Sequence, residues 1–390
     1  MSKAPVKAIL ENTVTQDEVS GPSKVEPAQG SAEHTNSKIE PVGSAFQTQI
    51  LPTDTPERFR VAVEVAVRHL RAGEPVALPT ETVYGLAANA LDPQAVLKVY
   101  QVKGRPRSNP LIVHVASIKM AQAAVKTWPP TAEQLARAFW PGPLTLVLPK
   151  SALIPEVVTA GASTVAIRWP AHPVIQAVIR ECGFPLAAPS ANLANRVSPT
   201  EASHVQAQLY GRIPLIVDGG PCAIGIESTV VDLSSLPARI LRPGMIHSAA
   251  LTAVTGQPVI DHQGEFTSAG PRASPGLFPK HYAPNALVYV LQWLDTVDLR
   301  RQLVQRSIPT QQTCVLAHER IPDPSCFAQV CVLPHEPAAY ARVLYTTWHR
   351  CDQLGARFII MESVPTDPEW AGIADRIRRA QAMETNSAAM

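Results

Sequence analysis

Short apolar segments that alternate with segments of helical periodicity constrain the fold of this chain most strongly. Apolar runs rich in Val, Ile and Leu, only a few residues long, predict strands buried on both faces. They lie at 75–79, 111–116, 144–149, 164–168, 185–189, 215–219, 228–233 and 238–242. Helices are predicted at 94–101, 132–140, 173–181 and 200–209. The alternation predicts an α/β domain built on one twisted sheet, and it leaves the order of the strands open.

The ends of the chain have a different composition. Residues 1–50 carry Gly, Ser, Pro, Glu, Gln and Thr without periodicity, which predicts a disordered tail. Ordered structure is predicted to begin at Asp54, because Thr55-Pro56-Glu57 is typical of a helix N-terminus. This first helix is predicted to end at Gly73.

A second α/β pattern follows a segment rich in Gly, Ser and Pro at 267–285. Its apolar runs lie at 287–291, 313–318, 328–333 and 358–363. Helical segments separate them, which predicts a small doubly wound domain. The predicted organisation is therefore a tail at 1–50, a first domain at 51–250, a linker at 251–285, a second domain at 286–382 and a tail at 383–390.

Composition excludes several classes of protein. Lys and Arg total 34 against 32 for Asp and Glu, so no overall field attracts the chain to nucleic acid or to a membrane. The 6 cysteines form no CxxC pair and have no zinc-like spacing. No apolar run reaches membrane-spanning length, and the first residues do not resemble a signal peptide. We expect a cytoplasmic protein with reduced thiols.

A basic stretch, KGRPR, directly precedes the predicted strand 111–116. If the backbone is extended, Lys103 and Arg105 project to the same side, and prolines stiffen the segment. A stiff cationic loop suits phosphate oxygens, although a solvated turn and a nucleic-acid patch are alternatives. Asn109 is an adjacent amide, whereas Arg107 is interpreted as a solvated charge. The sequence lacks the motifs GxxxxGK[ST], GxGxxG, GxSxG and HExxH, which are typical of phosphate, dinucleotide, acyl-transfer and zinc sites. Any functional site therefore uses other residues.

Polar side chains also stand at the ends of several other predicted strands. Thr82 follows strand 75–79, and His114 interrupts an otherwise apolar strand. Arg168 ends TVAIR, where a buried guanidinium requires a carboxylate or phosphate partner. The remaining candidates are Thr164, Ser190, Ser228 and Arg242. The carboxyl ends of strands are where α/β sheets usually bind ligands.

Ser198-Pro199-Thr200-Glu201 is typical of a capping box, with Ser198 as the N-cap and Glu201 at N3. On this interpretation, Ser198 has a structural role as a helix cap. A helix N-terminus is also an anion site, so a functional role stays open.

Six motifs in this order, PTETVYGL, KGRPRSNPLIVH, STVAIR, AAPSANLANRVSPT, GIESTVVDL and LRPG, closely resemble the Sua5/YrdC family of L-threonylcarbamoyladenylate synthases. The linker SPGLFPKHYAP and the small domain after it resemble the longer, Sua5-type members. The resemblance implies a YrdC-like sheet domain, a Rossmann-like second domain and a nucleotidyltransferase activity. Such an enzyme joins L-threonine, bicarbonate or carbon dioxide and ATP into threonylcarbamoyl-AMP for the tRNA modification t6A37.

The resemblance also implies roles for individual residues. Lys103 and Arg105 would be the catalytic pair, and Arg168 would pair with the threonine carboxylate. The threonine set would comprise Thr82, His114, Arg168, Ala188 and Ser228. The ATP set would comprise Lys103, Arg105, Asn109, Thr164, Ser190, Ser198, Arg242 and Tyr282. Tyr282, in the linker, would fold over the site as a lid.

ATP would be a substrate, and Mg²⁺ would neutralise pyrophosphate, although no carboxylate cluster in the sequence marks a metal site. The implied partners are the downstream t6A transferase machinery and a weak contact with tRNA, with no membrane. A module that binds RNA or tRNA without catalysis is the main alternative, although the nearly neutral charge argues against it. Carbamoyl transfer or nucleotide hydrolysis on the same fold is a second alternative.

Overall fold

The computed structural model of this chain describes residues 46–261 and 282–381. Within them are two sheets, one of 11 strands and one of 4 strands. Residues 1–45 of the predicted tail, most of the predicted linker and the predicted tail at 383–390 lie outside the described residues.

The large sheet contains the first eleven strands of the chain. They are β1 (Gln49–Pro52), β2 (Val76–Leu78), β3 (Gly85–Asn89), β4 (Ile112–His114), β5 (Leu144–Pro149), β6 (Thr164–Arg168), β7 (Leu186–Ala187), β8 (Leu215–Asp218), β9 (Thr229–Asp232), β10 (Arg239–Arg242) and β11 (Ile260–Asp261). Their order across the sheet is β1-β8-β2-β3-β7-β4-β6-β5-β9-β10-β11, with mixed parallel and antiparallel pairs.

Eight helices accompany this sheet. They are α1 (Pro56–Arg71), α2 (Pro93–Lys103), α3 (Ile118–Ala124), α4 (Pro130–Phe139), α5 (Glu156–Thr159), α6 (Pro173–Cys182), α7 (Ala202–Leu209) and α8 (Ser248–Thr255). The helices cover both faces of the sheet. Val76 and Leu78 of β2 lie in a core with residues of α1 and α6, whereas Ala77, between them, lies in a second core with residues of α2 and α4. Side chains alternate between the faces of a strand, so a strand covered on both sides is apolar throughout.

The structure corrects the predicted beginning and end of the first domain. β1 precedes Asp54 and pairs in parallel with β8, so the prediction that order begins at Asp54 is wrong. The segment QILP is too short to show a period, and its place is decided by the ladder that it forms with a distant strand. β11 pairs with β10, so residues 251–261, predicted as linker, belong to the large sheet and its helix α8.

The small sheet is parallel throughout and forms the second domain. Its strands are β12 (Leu287–Leu291), β13 (Thr313–Ala317), β14 (Gln329–Val332) and β15 (Phe358–Glu362), in the order β12-β15-β13-β14. Helices α9 (Thr296–Gln305), α10 (Pro337–Gln353) and α11 (Ala371–Ala380) flank it. Residues of α9 lie in the core on one face of the sheet, and residues of α10 and α11 lie in the core on the other. This arrangement confirms the doubly wound prediction.

The core beneath α10 and α11 also includes residues of the first domain. Val83, Val197 and Ile226 are buried among Tyr345 and Ile373 of these helices. Each of the three residues lies in a segment that carries candidate site residues. The second domain therefore packs directly on the region of the predicted site. In the described part of the chain, none of the helices is long and apolar enough to cross a membrane.

Candidate functional site

A polar cavity opens on one face of the large sheet, where several strands end. Its wall includes the turn between β2 and β3, the last residues of β4, β6 and β10, and the segment after β7. The predicted site residues that line it are Thr82, Arg105, His114, Arg168, Ala188, Ser190, Arg242 and Tyr282. Residues from six distant segments of the sequence therefore meet in one place.

Arg168 occupies one end of the cavity, beside His114, its register partner across β4 and β6. Its Nη1 donates to Thr82 Oγ1 at 2.9 Å, and its Nε donates to the Gly142 carbonyl at 3.2 Å. Its Nη2 lies 2.7 Å from Glu81 Oε1 in a buried ion pair. The prediction that a buried Arg168 requires an anionic partner is confirmed, and Glu81 is that partner.

The imidazole of His114 is buried beside this guanidinium. Burial, and secondly the charge of Arg168, lowers the pKa of His114 to about 3, so the ring is neutral at neutral pH. Its Nδ1 has no hydrogen-bond partner among the residues that the structure describes. A buried polar atom without a partner marks a position for a polar ligand group.

Two guanidinium groups, those of Arg105 and Arg242, lie in another part of the cavity wall. Arg105 donates to the carbonyls of Asn109 and Pro110 at 3.1 and 2.9 Å. Arg242 donates to the carbonyl and the hydroxyl of Ser228, both at 3.1 Å. Burial lowers the pKa of Arg105 to about 10, which leaves it charged at neutral pH. Two fixed guanidinium groups that share a cavity suit the oxygens of a phosphate.

Lys103 departs from its predicted geometry. The backbone is not extended there, because Lys103 is the last residue of α2 and Gly104 follows in the left-handed conformation. Its buried ammonium group donates to the carbonyls of Ser190 and Asn192, so it lies behind the cavity wall. Burial, and secondly the charge of Arg105, lowers the pKa of Lys103 well below its usual value. Lys103 and Arg105 therefore do not project to the same side.

Three further predicted residues lie one step behind the wall. Ser228 accepts from Arg242 and hydrogen-bonds Thr145 Oγ1 at 2.7 Å. Asn109 supports Arg105 through its carbonyl, and its buried Oδ1 lacks a partner among the described residues. Ser198 Oγ donates to Glu227 Oε1 at 2.6 Å. All three are buried and act on residues that line the cavity.

The predicted capping box at Ser198 is wrong. Helix α7 begins at Ala202, and its N-cap is Glu201, which makes no side-chain capping bond. The hydroxyl of Ser198 bonds the carboxylate of Glu227 instead. Because the helix begins at Ala202, Ser198 is not at its N-cap position, and its hydroxyl donates to a charged acceptor held in place from a distant segment.

Thr164 is the predicted residue that the structure does not bring to the cavity. It begins β6, at the opposite end of the strand from Arg168, so the two are separated by roughly 13 Å of extended chain. Thr164 lines a different surface depression together with Lys126 and Lys150. Thr164 lies apart from the cavity because the motif STVAIR spans a whole strand, whose two ends lie at opposite edges of the sheet; its contact with ATP stays a prediction.

Sequence reasoning missed Glu227, which lines the cavity. Glu227 is buried and accepts hydrogen bonds from Tyr345 OH at 3.1 Å and from Arg376 Nε at 2.7 Å, both in the second domain. An acidic residue two positions before the buried strand β9 was the available signal. No local pattern distinguishes Arg376 from the other arginines of α11.

No described residues form a ready metal site. Glu227 lines the cavity and Glu81 lies beside it, and each of these carboxylates is already engaged: Glu81 with Arg168, and Glu227 with Arg376. Across residues 46–261 and 282–381, no group of at least 3 His, Cys, Asp or Glu side chains is placed to hold a metal ion. The donor set therefore does not fit a metal ion held by the protein alone.

This geometry defines a class: a two-domain α/β protein with a buried, cationic site for a small anionic ligand, partly walled by residues that the second domain supports. Two family models match the chain, "Telomere recombination" over residues 68–244 and "Threonylcarbamoyl-AMP synthase, C-terminal domain" over residues 246–382. Together they span both domains.

Curated relatives agree with these models. The threonylcarbamoyl-AMP synthase of Bacillus subtilis is 40% identical over 341 residues, which is 85% of this chain and 95% of the relative. That of Pyrococcus abyssi is 47% identical over 230 residues, 59% of this chain and 68% of the relative. The crystal structure of P. abyssi Sua5 complexed with L-threonine has a TM-score of 0.77 and 37% identity, covering 85% of this chain and 97% of that one. This chain belongs to the Sua5/YrdC family, as the motifs predicted.

Proposed function

We propose that this protein is a threonylcarbamoyl-AMP synthase, which joins L-threonine, bicarbonate or carbon dioxide and ATP and releases pyrophosphate. The observation that carries the proposal is that one cavity holds Arg168 with Thr82 in one part and Arg105 with Arg242 in another. One guanidinium suits a carboxylate, and the other two suit phosphate oxygens. Relatives that share both domains carry the name of this activity.

Threonine binds at the Arg168 end. The guanidinium pairs with the amino-acid carboxylate, and Glu81 and Thr82 hold it in place. The unpartnered Nδ1 of His114 offers the ligand one hydrogen bond. The methyl group of Ala188 forms part of the cavity wall. Ser228 does not line the cavity, but its hydroxyl accepts a hydrogen bond from Arg242 and so helps to hold that guanidinium in place. The L-threonine held by P. abyssi Sua5 supports this assignment.

The nucleotide binds at the other end. Arg105 and Arg242 contact the phosphates, and Ser190 and Asn109 offer a hydroxyl and an amide oxygen nearby. Lys103 and Ser198 act indirectly: the first holds the Ser190 loop, and the second holds Glu227. Thr164 has no part in this proposal, because it lies at the other end of β6.

Tyr282 lines the cavity and has a positive φ of 61°. The cavity leaves about 50 Å³ open to water. Sites for small ligands are usually about 300–1,000 Å³ in volume, so ATP enters only when part of the wall moves. Tyr282 is the wall residue that we expect to move, in keeping with a role as a cover over bound nucleotide.

The chemistry needs positioning and charge neutralisation rather than a protein nucleophile. The threonine amine and bicarbonate form a carbamate with loss of water, and a carbamate oxygen attacks the α-phosphorus of ATP. A new P–O bond forms, the bond to the β-phosphate breaks, and pyrophosphate carries away the electron pair. The arginines fix the attacking group and neutralise the charge that develops on the phosphates.

Mg²⁺ enters this scheme with the substrate. The carboxylates of the cavity are paired with arginines, so Mg²⁺ would arrive as the MgATP complex, held chiefly by the phosphates. The product is a reactive mixed anhydride. A transferase of the t6A machinery would consume it on tRNA in the cytoplasm, with at most a weak contact between tRNA and this protein.

Pyrophosphate release from MgATP, with threonine and bicarbonate each withheld in turn, tests the proposal. We expect release only when all three substrates are present, and release to stop when EDTA removes the metal. Mass spectrometry should find threonylcarbamoyl-AMP in the complete mixture. Release that ignores threonine would contradict the proposal, and RNA binding without turnover would favour a binding module.

A further inference from the structure

Arg376 lies in α11 of the second domain, yet its guanidinium group reaches a residue of the cavity wall. Its Nε donates to Glu227 Oε2 at 2.7 Å, and its Nη2 donates to the Glu227 carbonyl at 3.2 Å. The side chain of Arg376 is fully buried. A residue that is 149 positions away along the chain therefore fixes both the carboxylate and the backbone of Glu227.

The charge on Glu227 depends on this contact. Burial acts to raise the pKa of Glu227, but the charges of Arg376 and Arg242 and the hydrogen bond from Ser198 outweigh it and hold the pKa at about 2. Tyr345 OH donates to the same carboxylate at 3.1 Å. Tyr282 is a further titratable neighbour, buried with its pKa raised, chiefly by burial and then by Glu227, so it is neutral. Asp375 also pairs with Arg376, at 3.1 Å, but it has Arg378 and Arg379 as further partners. Glu227 is therefore an anion at neutral pH.

Arg242 lines the same cavity as Glu227, and its charge is the second to lower the pKa of that carboxylate, after the charge of Arg376. With Arg376 in place, the carboxylate is neutralised by the second domain, and the guanidinium of Arg242 keeps its charge for a ligand. Without Arg376, Glu227 would be a buried anion on which the charge of Arg242 still acts. A phosphate would then have to compete with Glu227 for that guanidinium.

Arg376 supports two other parts of the site. Its guanidinium carbon lies 5.3 Å from the centroid of the Tyr282 ring, which is cation–π geometry. Its Nη1 donates at 2.9 Å to the carbonyl of Pro243, the residue after Arg242. One side chain of the second domain thus contacts Glu227, Tyr282 and the chain next to Arg242.

We propose that Arg376 is a positioning residue of the active site, which neutralises Glu227 and supports Tyr282 so that Arg242 stays available to the phosphates of ATP. The identity of the ligand rests on the proposed function, whereas the contacts do not. The second domain thereby completes the nucleotide site electrostatically without touching the substrate.

The test compares Arg376→Met, Glu227→Gln, the double variant and Arg376→Lys, with Arg378→Met as the matched control. Arg378 lies on the same helix and pairs with Asp375, but its side chain is exposed. Binding of ATP alone is measured by calorimetry from pH 6 to pH 9, and pyrophosphate release gives KM and kcat for ATP and threonine.

Arg376→Met should weaken ATP binding at least tenfold and raise the KM for ATP more than that for threonine. The loss should grow with pH, because Glu227 without its partner is harmful only when it is ionised. The double variant, which has no unpaired carboxylate, should bind ATP more tightly than Arg376→Met. Arg376→Lys keeps the charge and should keep a flat pH profile, and Arg378→Met should match the wild type.

A purely structural role predicts something different: equal losses at every pH and a double variant no better than Arg376→Met. Either that result or wild-type ATP binding by Arg376→Met overturns the inference. If Arg376→Met does not fold, the double variant decides by itself: ATP binding close to that of the wild type supports the inference, and ATP binding that is weakened at least tenfold overturns it. If the wild type binds ATP but releases no pyrophosphate, the proposed function fails, whereas the binding comparison still decides the role of Arg376.

Discussion

At the scale of single residues, Arg105 and Arg107 show that two arginines of the same loop can differ in burial and therefore in function. Arg105 is buried, is held by two backbone carbonyls and lines the cavity. Arg107, on the other side of Pro106, is exposed to solvent. A guanidinium that is fixed before the ligand arrives pays no reorganisation cost on binding, and this preorganisation is what makes a charge effective in catalysis.

Arg105→Ala should therefore lower kcat/KM for ATP by roughly 10²-fold or more, as is typical when a preorganised donor is removed. Arg107→Ala, the matched control, should stay within about twofold of the wild type, because an exposed charge contributes little. Initial rates of pyrophosphate release measure both. Equal effects of the two changes would mean that Arg105 acts only through the overall charge of the loop.

At the scale of elements, helix α2 decides where the basic stretch points. Asp92 caps its first turn by accepting from the Gln94 amide at 2.8 Å, and Gly104 ends it with a φ of +61°. The helix therefore includes Lys103, and the chain reverses before Arg105. An extended reading of KGRPR ignores this C-cap, and for that reason it predicted the wrong direction for Lys103.

Gly104→Ala should reduce the free energy of unfolding by about 1 kcal/mol, because an L-residue is strained in the left-handed region. Apart from the adjacent residues of the chain, no heavy atom of the described residues lies within 4 Å of the position of a new Cβ, so the cost is conformational and not a clash. Gly104→Asn should cost less, because Asn tolerates this conformation better. Urea unfolding measures both, and equal costs for Ala and Asn would contradict the explanation.

At the scale of the whole molecule, the two domains share a core and a buried ion pair. Val83, Val197 and Ile226 of the first domain are buried against α10 and α11 of the second. The same interface contains Glu227 and Arg376. A buried pair contributes little net stability when both partners are present, but an unpaired member is costly. The interface therefore makes the stability of the molecule sensitive to pH.

The sign follows from the pKa of Glu227, which is about 2 in the folded protein, below its ordinary value of 4.5. The stabilisation is fully present above pH 4.5 and is lost as the pH falls toward 2. Glu227→Gln removes this group, so its free energy of unfolding should fall less steeply than that of the wild type between pH 5 and pH 3. Urea unfolding at these two pH values measures the slopes, and parallel slopes would show that Glu227 is not held as an anion.

Much of the fold was predictable because its elements carry their own periodic signals. The strands at 144–149, 164–168 and 287–291 have the predicted bounds. β3, the sequence GLAAN, was missed because its small residues carry no strand signal, and its burial between β2 and β7 decides its conformation. The candidate site residues were predicted from motifs, which give residue types but not the direction in which each side chain projects.

Local sequence patterns were enough to predict the alternation of strands and helices and the two-domain order, and they contain the motifs that indicate the family. These features depend on neighbouring residues, whose period and chemistry can be read locally. Three outcomes required the folded chain: the Lys103 ammonium group lies behind the cavity wall, Thr164 lies at the end of β6 opposite Arg168, and Arg376 pairs with Glu227. Those outcomes depend on strand order, strand direction and the packing of one domain on the other, which are set by contacts between segments far apart in the chain.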